Sequence, residues 1–312
     1  MDVANFTEHE NQKTFRELFC SPEITAKFPN ELIFLSALNI FLSITAFLGN
    51  TLILIALKKE TSLHPSSKVL FRSLATTDLC VSIAAEPLAV AYLMSVVNER
   101  WDVCYYAQLM NFATAGILCT ASFFTLTAIS VDRLLGLLLG LRYRHIVTSR
   151  RAYIAVTAMW VFSIFFSSTN FWNPRVFSWL FYIGLSVCLT ITISSYTKIF
   201  YTLRHRQHDI QNNAFQGQPT RPTPLNIVRY RKAVSSALWL QVALVVCYLP
   251  YSIVVALIPQ KGFSSSLYLS WQVTSIPVYL NSSLNPILYC WKIREVRQAA
   301  IDTLKRLFCK SH

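Results

Sequence analysis

The chain has 312 residues, of which 54% are hydrophobic and only 14% are charged. A soluble domain needs about twice that charged fraction, and a disordered chain has far fewer apolar residues, so both classes are excluded. The remaining class is a membrane protein. The net charge of +13 therefore has to be explained by its distribution along a membrane protein.

The first 30 residues are polar and include Asn5-Phe6-Thr7, a sequon for N-linked glycosylation at Asn5. No basic start leads into a short apolar core, so we expect no cleavable signal peptide and assign 1–30 to an extracellular tail. Seven apolar stretches follow, each long enough to cross a bilayer as a helix, which takes about 20 residues. They run approximately over 31–57, 69–94, 106–139, 152–171, 176–203, 232–258 and 267–290. Backbone groups in lipid must be satisfied internally, so the sequence predicts an all-α membrane protein, a seven-helix bundle over 31–290.

Basic residues are divided unevenly between the two sides of this predicted bundle. With Arg133 set aside, 21 Lys and Arg residues fall on the first, third and fifth connections and the C-terminal tail, against 6 on the other side. Because basic segments remain cytoplasmic, we expect an extracellular N-terminus and a cytoplasmic C-terminus in the plasma membrane. The positive charge then faces anionic lipid headgroups, and we expect no nucleic-acid partner.

Two segments outside the apolar stretches have recognisable patterns. Residues 205–228 contain Gly217 and Pro219 and are predicted to be a flexible cytoplasmic loop. In the tail, 291–312, apolar residues recur at helical spacing with basic residues on the other face, which predicts a short amphipathic eighth helix on the inner leaflet. Cys309 at its end is a candidate palmitoylation site, with a free thiol as the alternative.

Polar side chains at membrane depth are costly and therefore point to function. Asp78 lies in the middle of the second stretch. Its candidate partners are Asn50, Ser122, Asn281, Ser282 and Asn285. Such oxygen atoms suit a hard cation such as Na⁺, but a hydrogen-bonded cluster with water and no ion explains them equally well. Pro250 and Pro286 interrupt the sixth and seventh stretches and predict kinks there.

Several motifs follow one another in order along the seven stretches. They are Gly49-Asn50, Leu74-Ala75 before Asp78, Asp132-Arg133-Leu134, Trp160, Tyr196, Cys247-Tyr248-Leu249-Pro250 and Asn285-Pro286-Ile287-Leu288-Tyr289. With these motifs the chain resembles the rhodopsin-like (class A) G-protein-coupled receptors over nearly all of 30–309. The resemblance implies a receptor that converts extracellular ligand binding into G-protein activation by displacement of helix six. Its expected partners are a heterotrimeric G protein, an extracellular ligand and membrane lipid.

The resemblance also implies roles for single residues. Asp132 would hold Arg133 in the resting state, and Arg133 would meet the G protein after activation. Leu141 would enter a pocket of the G protein. The other switch residues implied are Tyr196, Tyr248, Pro250, Pro286 and Tyr289. The implied sodium pocket consists of Asp78, Ser122, Asn281, Ser282 and Asn285. We expect no cofactor apart from this allosteric Na⁺.

The chain departs from the usual family pattern outside the bundle. Gln108 stands where the family carries the helix-three cysteine, and the link at 172–175 contains no cysteine. The usual disulfide therefore cannot form, and we expect Cys20 and Cys104, both on the extracellular side, to form a bridge instead. In its short second outer loop and in a helix five without the usual proline, the chain resembles the melanocortin, cannabinoid and lysophospholipid receptors.

The residues expected to line the ligand site restrict the ligand. Ala115 stands where amine receptors carry Asp, and Tyr279 stands where opsins carry the retinal-binding Lys, so we expect neither an amine nor retinal. The expected lining consists of Glu86, Gln108, Asn111, Phe112, Ala115, Tyr251, Ser252, Val255, Trp271, Ser275 and Tyr279. A peptide, a lipid or a small neutral molecule fits this set. Glu86 would receive a basic peptide side chain, join a Ca²⁺ site, or remain protonated or hydrogen-bonded to a neighbouring helix.

Three other functions compete with a ligand-activated receptor. A constitutively active orphan receptor is favoured by Leu134 and Tyr248, which replace family residues, and by Tyr230, which supplies no acid to hold Arg133. A membrane transporter would require inverted repeats and more charges at the midplane. An enzyme would require a nucleophile–base pair or a metal triad at membrane depth, so we expect no enzymatic activity.

Overall fold

The computed structural model describes residues 19–25, 27–59, 63–215, 239, 242–258, 263–292, 297, 298 and 300–302. Within these residues the regular structure is helical throughout, without strands. Asn5, Tyr230 and Cys309 lie outside the described residues. Only 297, 298 and 300–302 of the predicted eighth helix are described beyond residue 292, and all five are helical.

Seven helices of 17 or more residues follow one another in the described part of the chain. They are α1 Pro29–Lys59, α2 Pro65–Val97, α3 Trp101–Leu139, α4 Ser149–Trp172, α5 Pro174–Phe215, α6 Val242–Ile258 and α7 Ser265–Lys292. Helices α1 to α5 and α7 each contain their predicted stretch in full. Helix α6 contains residues 242–258 of the sixth stretch, 232–258.

Five of these helices, α1 to α5, are long and apolar enough to cross a membrane. In the described part of the chain α6 is a shorter apolar helix. Helix α7 has 28 residues, but its middle carries the buried polar side chains of Asn281, Ser282, Ser283 and Asn285. The polarity of α7 therefore comes from side chains that are withdrawn from the surface.

The helix boundaries follow from local chemistry. Helices α1, α2 and α5 each begin at a proline, which lacks an N–H and loses nothing at a first helical position. Thr148 caps α4, and its side chain accepts a hydrogen bond from the backbone N–H of Arg151. Only Asn173 separates α4 from α5, and its Oδ1 accepts the N–H of Val176 at 3.2 Å. This side-chain cap allows a one-residue link.

Helix α2 contains one irregular turn that the sequence did not predict. Residues Val81–Ala85 form a π-helical segment immediately before Glu86 and Pro87. Proline cannot donate the hydrogen bond that the carbonyl of Ile83, four residues earlier, would accept in a regular α-helix. A wider turn before the proline is a common response to this missing donor.

Helix α5 is longer than its apolar stretch. The predicted loop at 205–228 is wrong for its first part, because the helix continues through Phe215. The physical reason is that no helix-breaking residue occurs before Gly217 and Pro219. Polar residues alone do not end a helix, since their helix propensities are close to those of apolar residues.

The chain divides into two compact units. The first unit consists of residues 1–50, 78–118 and 243–284, and the second of 51–77, 119–242 and 285–312. The core of the first unit is formed by Cys20, Leu32, Leu35, Tyr92, Leu93, Val96, Cys104, Ala107, Tyr268 and Trp271. The second unit buries a group of polar residues near one end of α3, which is described below.

Candidate functional site

The eleven residues expected to line the ligand site all belong to the first unit. Glu86, Gln108, Ser252, Trp271 and Tyr279 are buried. The others are half-buried and are Asn111, Phe112, Ala115, Tyr251, Val255 and Ser275. The structure thus collects in one unit a set of residues that the sequence distributes over four helices.

Aromatic rings form the apolar part of this set. The rings of Phe112 and Trp271 are stacked with centroids 5.7 Å apart, and Tyr251 and Val255 pack against the same core. Offset aromatic pairs of this kind stabilise their arrangement beyond simple burial. They present flat apolar faces from α3 and α7 within one unit.

Polar atoms accompany these rings. The Tyr279 hydroxyl donates a hydrogen bond to Asn111 Oδ1 at 3.1 Å, which ties α7 to α3. Among the described residues, neither carboxylate oxygen of Glu86 and neither amide atom of Gln108 has a hydrogen-bond partner, although both side chains are fully buried. Buried polar atoms normally find a partner, so these two side chains are candidates for contact with a ligand or water.

A Ca²⁺ site around Glu86 receives no support from neighbouring acids. In the part of the chain that the structure describes, no group of three His, Cys, Asp or Glu residues lies close enough to hold a metal ion. Calcium usually takes six to eight oxygen ligands, several of them carboxylates. Among the described residues, the buried carboxyl group of Glu86 has no group of acids around it that would complete such a site.

The segment before α1 is attached to this unit by a covalent bond. Cys20 and Cys104, the pair expected from the sequence, are joined by a disulfide with Cα atoms 5.9 Å apart. The ring of Phe19, next to Cys20, contacts Phe112 and Trp271. Sequence reasoning missed Phe19, although its position beside a predicted bridge was a usable signal.

The residues of the implied sodium pocket are divided between the two units. Asp78, Asn281 and Ser282 belong to the first, and Ser122 and Asn285 to the second. All five are buried. Within the first unit, Asn50 donates a hydrogen bond to the backbone carbonyl of Ser282 at 3.0 Å. The oxygen donors present there are those that a hard cation prefers.

The second unit contains an ion pair at the Asp132-Arg133 motif of α3. The guanidinium of Arg133 lies 2.6 Å from Asp132 Oδ2 and also donates to the hydroxyl of Ser67. Ser67 in turn donates to the same carboxylate oxygen at 2.8 Å. The side chains of Arg133 and Asp132 are 15% and 4% exposed, so the pair is protected from most of the screening that weakens surface ion pairs.

Tyr143 completes the shell around this carboxylate. Its hydroxyl donates to Asp132 Oδ1, and the hydroxyl of Ser66 lies 3.1 Å from it. His64 Nδ1 lies 2.7 Å from the same serine oxygen. A carboxylate only accepts hydrogen bonds, so Tyr143 must donate to it, Ser66 then donates to Tyr143, and His64 donates through Nδ1.

Burial keeps the side chains of Tyr143 and His64 neutral. Burial first, and the nearby Asp132 carboxylate second, raise the pKa of Tyr143. Burial lowers the pKa of His64, with Asp132 opposing the shift. Tyr143 therefore retains its proton at neutral pH and remains a donor to Asp132. The sequence motif identified Asp132 and Arg133, whereas the hydrogen bonds that Tyr143, Ser66 and Ser67 contribute were not predicted, because these three residues lie outside α3.

The remaining switch residues occupy their predicted helices. The hydroxyl groups of Tyr196 and Ser130 lie 3.3 Å apart, and Tyr248 is buried in α6. Helices α6 and α7 remain helical through Pro250 and Pro286. Leu141 lies in the 3₁₀ turn Gly140–Arg142, and Tyr289 lies in α7.

Comparison with known proteins places these features in a family. The sequence profile of the 7 transmembrane receptor (rhodopsin family) matches residues 49–176 and 165–289. The chain belongs to this family. It is a G-protein-coupled receptor, and therefore a multi-pass membrane protein and not an enzyme. The family implies a G protein and an extracellular ligand as partners of the receptor.

The proteins that the receptor is similar to are named after different ligands. Adenosine receptor A3 of Ovis aries is 27% identical, covering 86% of this chain and 88% of the relative. Melanocortin receptor 5 of Mus musculus is 25% identical, covering 88% and 84%. Adenosine receptor A2b of Gallus gallus is 24% identical, covering 88% and 89%. The identities are similar, so they establish the family and leave the ligand to be argued from the site.

Proposed function

We propose that the structure corresponds to the resting state of the receptor, with Arg133 withheld from the G protein. The observation that carries this proposal is the Arg133–Asp132 contact of 2.6 Å, with Ser67 and Tyr143 bonded to the same carboxylate. Ligand binding favours a second state in which helix six moves outward and Arg133 becomes available. The ligand shifts the population only through its higher affinity for that state.

We propose a plasma-membrane receptor whose N-terminus is extracellular and whose C-terminus is cytoplasmic. The domain arrangement is then a tail over 1–30, a receptor domain over 31–290 and a cytoplasmic segment over 291–312. The supporting observation is the distribution of basic residues, 21 against 6. Asp78, Asn281 and Ser282 are proposed to take an allosteric Na⁺, because their buried oxygens match the ligand preference of that ion.

The proposed ligand is a small neutral molecule with an aromatic group. Stacked Phe112 and Trp271 offer apolar faces, and the Asn111–Tyr279 pair offers polar atoms beside them. A relative named for adenosine fits this class, since adenosine is neutral and carries a flat base. A peptide is the second candidate. It is favoured by the buried carboxyl group of Glu86, which would pair with a basic side chain, and by a relative named for melanocortin.

A second-messenger panel in cells expressing the receptor tests this function. The receptor is measured without ligand, then with adenosine, melanocortin peptides and lysophospholipids. Arg133→Ala removes the group that is proposed to meet the G protein, and we expect a fall in signalling of about tenfold or more, which corresponds to the loss of one charge-assisted hydrogen bond. The expected result is a response in the native receptor that this variant lacks.

Arg72→Ala is the matched control for loss of a half-buried arginine. The Arg72 guanidinium donates to the backbone carbonyl of Leu57 at 3.1 Å and so ties α2 to α1. We expect this variant to retain signalling once responses are scaled to surface expression. Normal signalling by Arg133→Ala at matched surface expression would contradict the proposed mechanism.

A further inference from the structure

Phe19 lies among the aromatic residues of the first unit. Its ring centroid is 5.4 Å from that of Phe112, 5.4 Å from that of Trp271 and 5.2 Å from that of Phe263. Two of these three neighbours belong to the expected ligand lining. The aromatic faces proposed to receive a ligand are therefore already in contact with a side chain of the receptor itself.

The backbone at Phe19 is fixed from several directions. The Tyr92 hydroxyl donates to the Phe19 carbonyl at 3.0 Å and lies 3.2 Å from the Tyr268 hydroxyl. The next residue, Cys20, is bonded to Cys104, and both cysteines are buried. A covalent link one residue away keeps the ring at a high effective concentration beside its aromatic neighbours.

We propose that Phe19 is a built-in occupant of the ligand site, held there by the Cys20–Cys104 bridge, and that an extracellular ligand competes with this ring for the site. The inference rests on the proposed function, because it takes Phe112 and Trp271 as ligand contacts. It also specifies the ligand class. A molecule that replaces the ring must bring an aromatic or similarly flat apolar group to fill the space between α3 and α7.

Thiol labelling tests the occupancy without any signalling readout. Ser275 lies one helical turn from Trp271 on α7 and is half-buried. In Ser275→Cys we expect slow reaction with a water-soluble methanethiosulfonate. Combining it with Phe19→Ala opens the site, and we expect labelling about tenfold faster, since thiol reactivity follows exposure. Phe19→Leu keeps an apolar side chain of similar bulk and should restore slow labelling.

Controls separate opening of the site from general loosening. Ser266→Cys, exposed near the start of the same helix, should label at one rate with and without the Phe19→Ala substitution. The receptor without an added thiol reports labelling of the native cysteines. Equal rates for Ser275→Cys in the presence and absence of the Phe19 ring would overturn the proposal, even if the receptor signals as proposed.

A soluble probe tests the ligand class. An apolar cavity left by a removed ring takes up small aromatic molecules. N-acetyl-phenylalaninamide at millimolar concentration should therefore slow the labelling of Ser275→Cys in the Phe19→Ala background, whereas N-acetyl-alaninamide should not. Equal effects of the two amides would contradict an aromatic site. Labelling requires no G protein, so a failure of coupling leaves this result interpretable.

Discussion

At the scale of single residues, the Asp132 carboxylate is held by more donors than its motif reveals. Arg133, Ser67 and Tyr143 all donate to it. A buried carboxylate is stable only if its oxygens are bonded. The motif supplies the charges, and Tyr143 and Ser67 supply neutral donors that satisfy the remaining acceptor positions.

Tyr143→Phe removes one of these donors while retaining the ring. We expect a loss of about 1–2 kcal/mol in stability, because Asp132 Oδ1 loses a bond that the ring cannot replace. The measurement is the melting temperature of the purified receptor in detergent. Unfolding is detected by the fluorescence of a thiol-reactive dye or by aggregation.

Tyr153→Phe is the control for this change. Its side chain is 54% exposed, so removal of its hydroxyl should leave the melting temperature nearly unchanged. Equal melting temperatures of Tyr143→Phe and the native receptor would show that the Tyr143 hydroxyl does not stabilise the Asp132 carboxylate.

At the scale of helices, the end of α3 depends on one glycine. Gly140 has φ +51°, a left-handed conformation that L side chains rarely adopt. Gly140→Ala is expected to cost about 1 kcal/mol through backbone strain alone, because an added Cβ would meet no atom within 4 Å. Thermal unfolding measures this cost.

Gly184 provides the opposite case in α5. A Cβ there would also meet nothing within 4 Å, but the backbone is helical. Gly184→Ala should therefore stabilise the receptor by up to about 1 kcal/mol through helix propensity. If Gly140→Ala lowers the stability and Gly184→Ala raises it, the difference comes from backbone conformation, because neither added Cβ meets a neighbouring atom within 4 Å. A stabilising effect of Gly140→Ala would refute the assigned strain.

The sequence predicted helices well where lipid imposes a simple rule and less well elsewhere. Apolar stretches located α1 to α5, and the proline at 174 and the short link at 172–175 anticipated the close succession of α4 and α5. The extension of α5 to Phe215 and the π turn at Val81–Ala85 were missed. Both depend on how backbone hydrogen bonds are satisfied, which hydrophobicity does not report.

The candidate site divides in the same way. Motif spacing identified Asp132 and Arg133, and the expected ligand lining falls within one unit. Phe19 and Tyr143 were missed because their importance comes from contacts with residues far away in the chain: Phe19 meets Trp271, and Tyr143 meets Ser66. A single sequence contains no signal for such contacts except where a disulfide or a known motif lies next to the residue.

At the scale of the whole molecule, orientation in the membrane determines which sequon is glycosylated. Asn5-Phe6-Thr7 lies on the proposed extracellular tail, whereas Asn281-Ser282-Ser283 lies within α7 with Asn281 only 1% exposed. Both sequons match the acceptor pattern. With the proposed orientation, we expect only the first sequon to meet a glycosyltransferase in the lumen of the endoplasmic reticulum, because Asn281 is buried within α7.

Thr7→Ala and Ser283→Ala form a matched pair, since each removes the hydroxyl residue that completes one sequon. We expect Thr7→Ala to abolish the mobility shift that peptide N-glycosidase causes in the native receptor, and Ser283→Ala to leave it intact. An epitope tag on the N-terminus should bind antibody on intact cells, and a C-terminal tag only after permeabilisation, because we expect the basic connections and tail to be cytoplasmic. Antibody access to both tags on intact cells would contradict the proposed orientation of the receptor in the membrane.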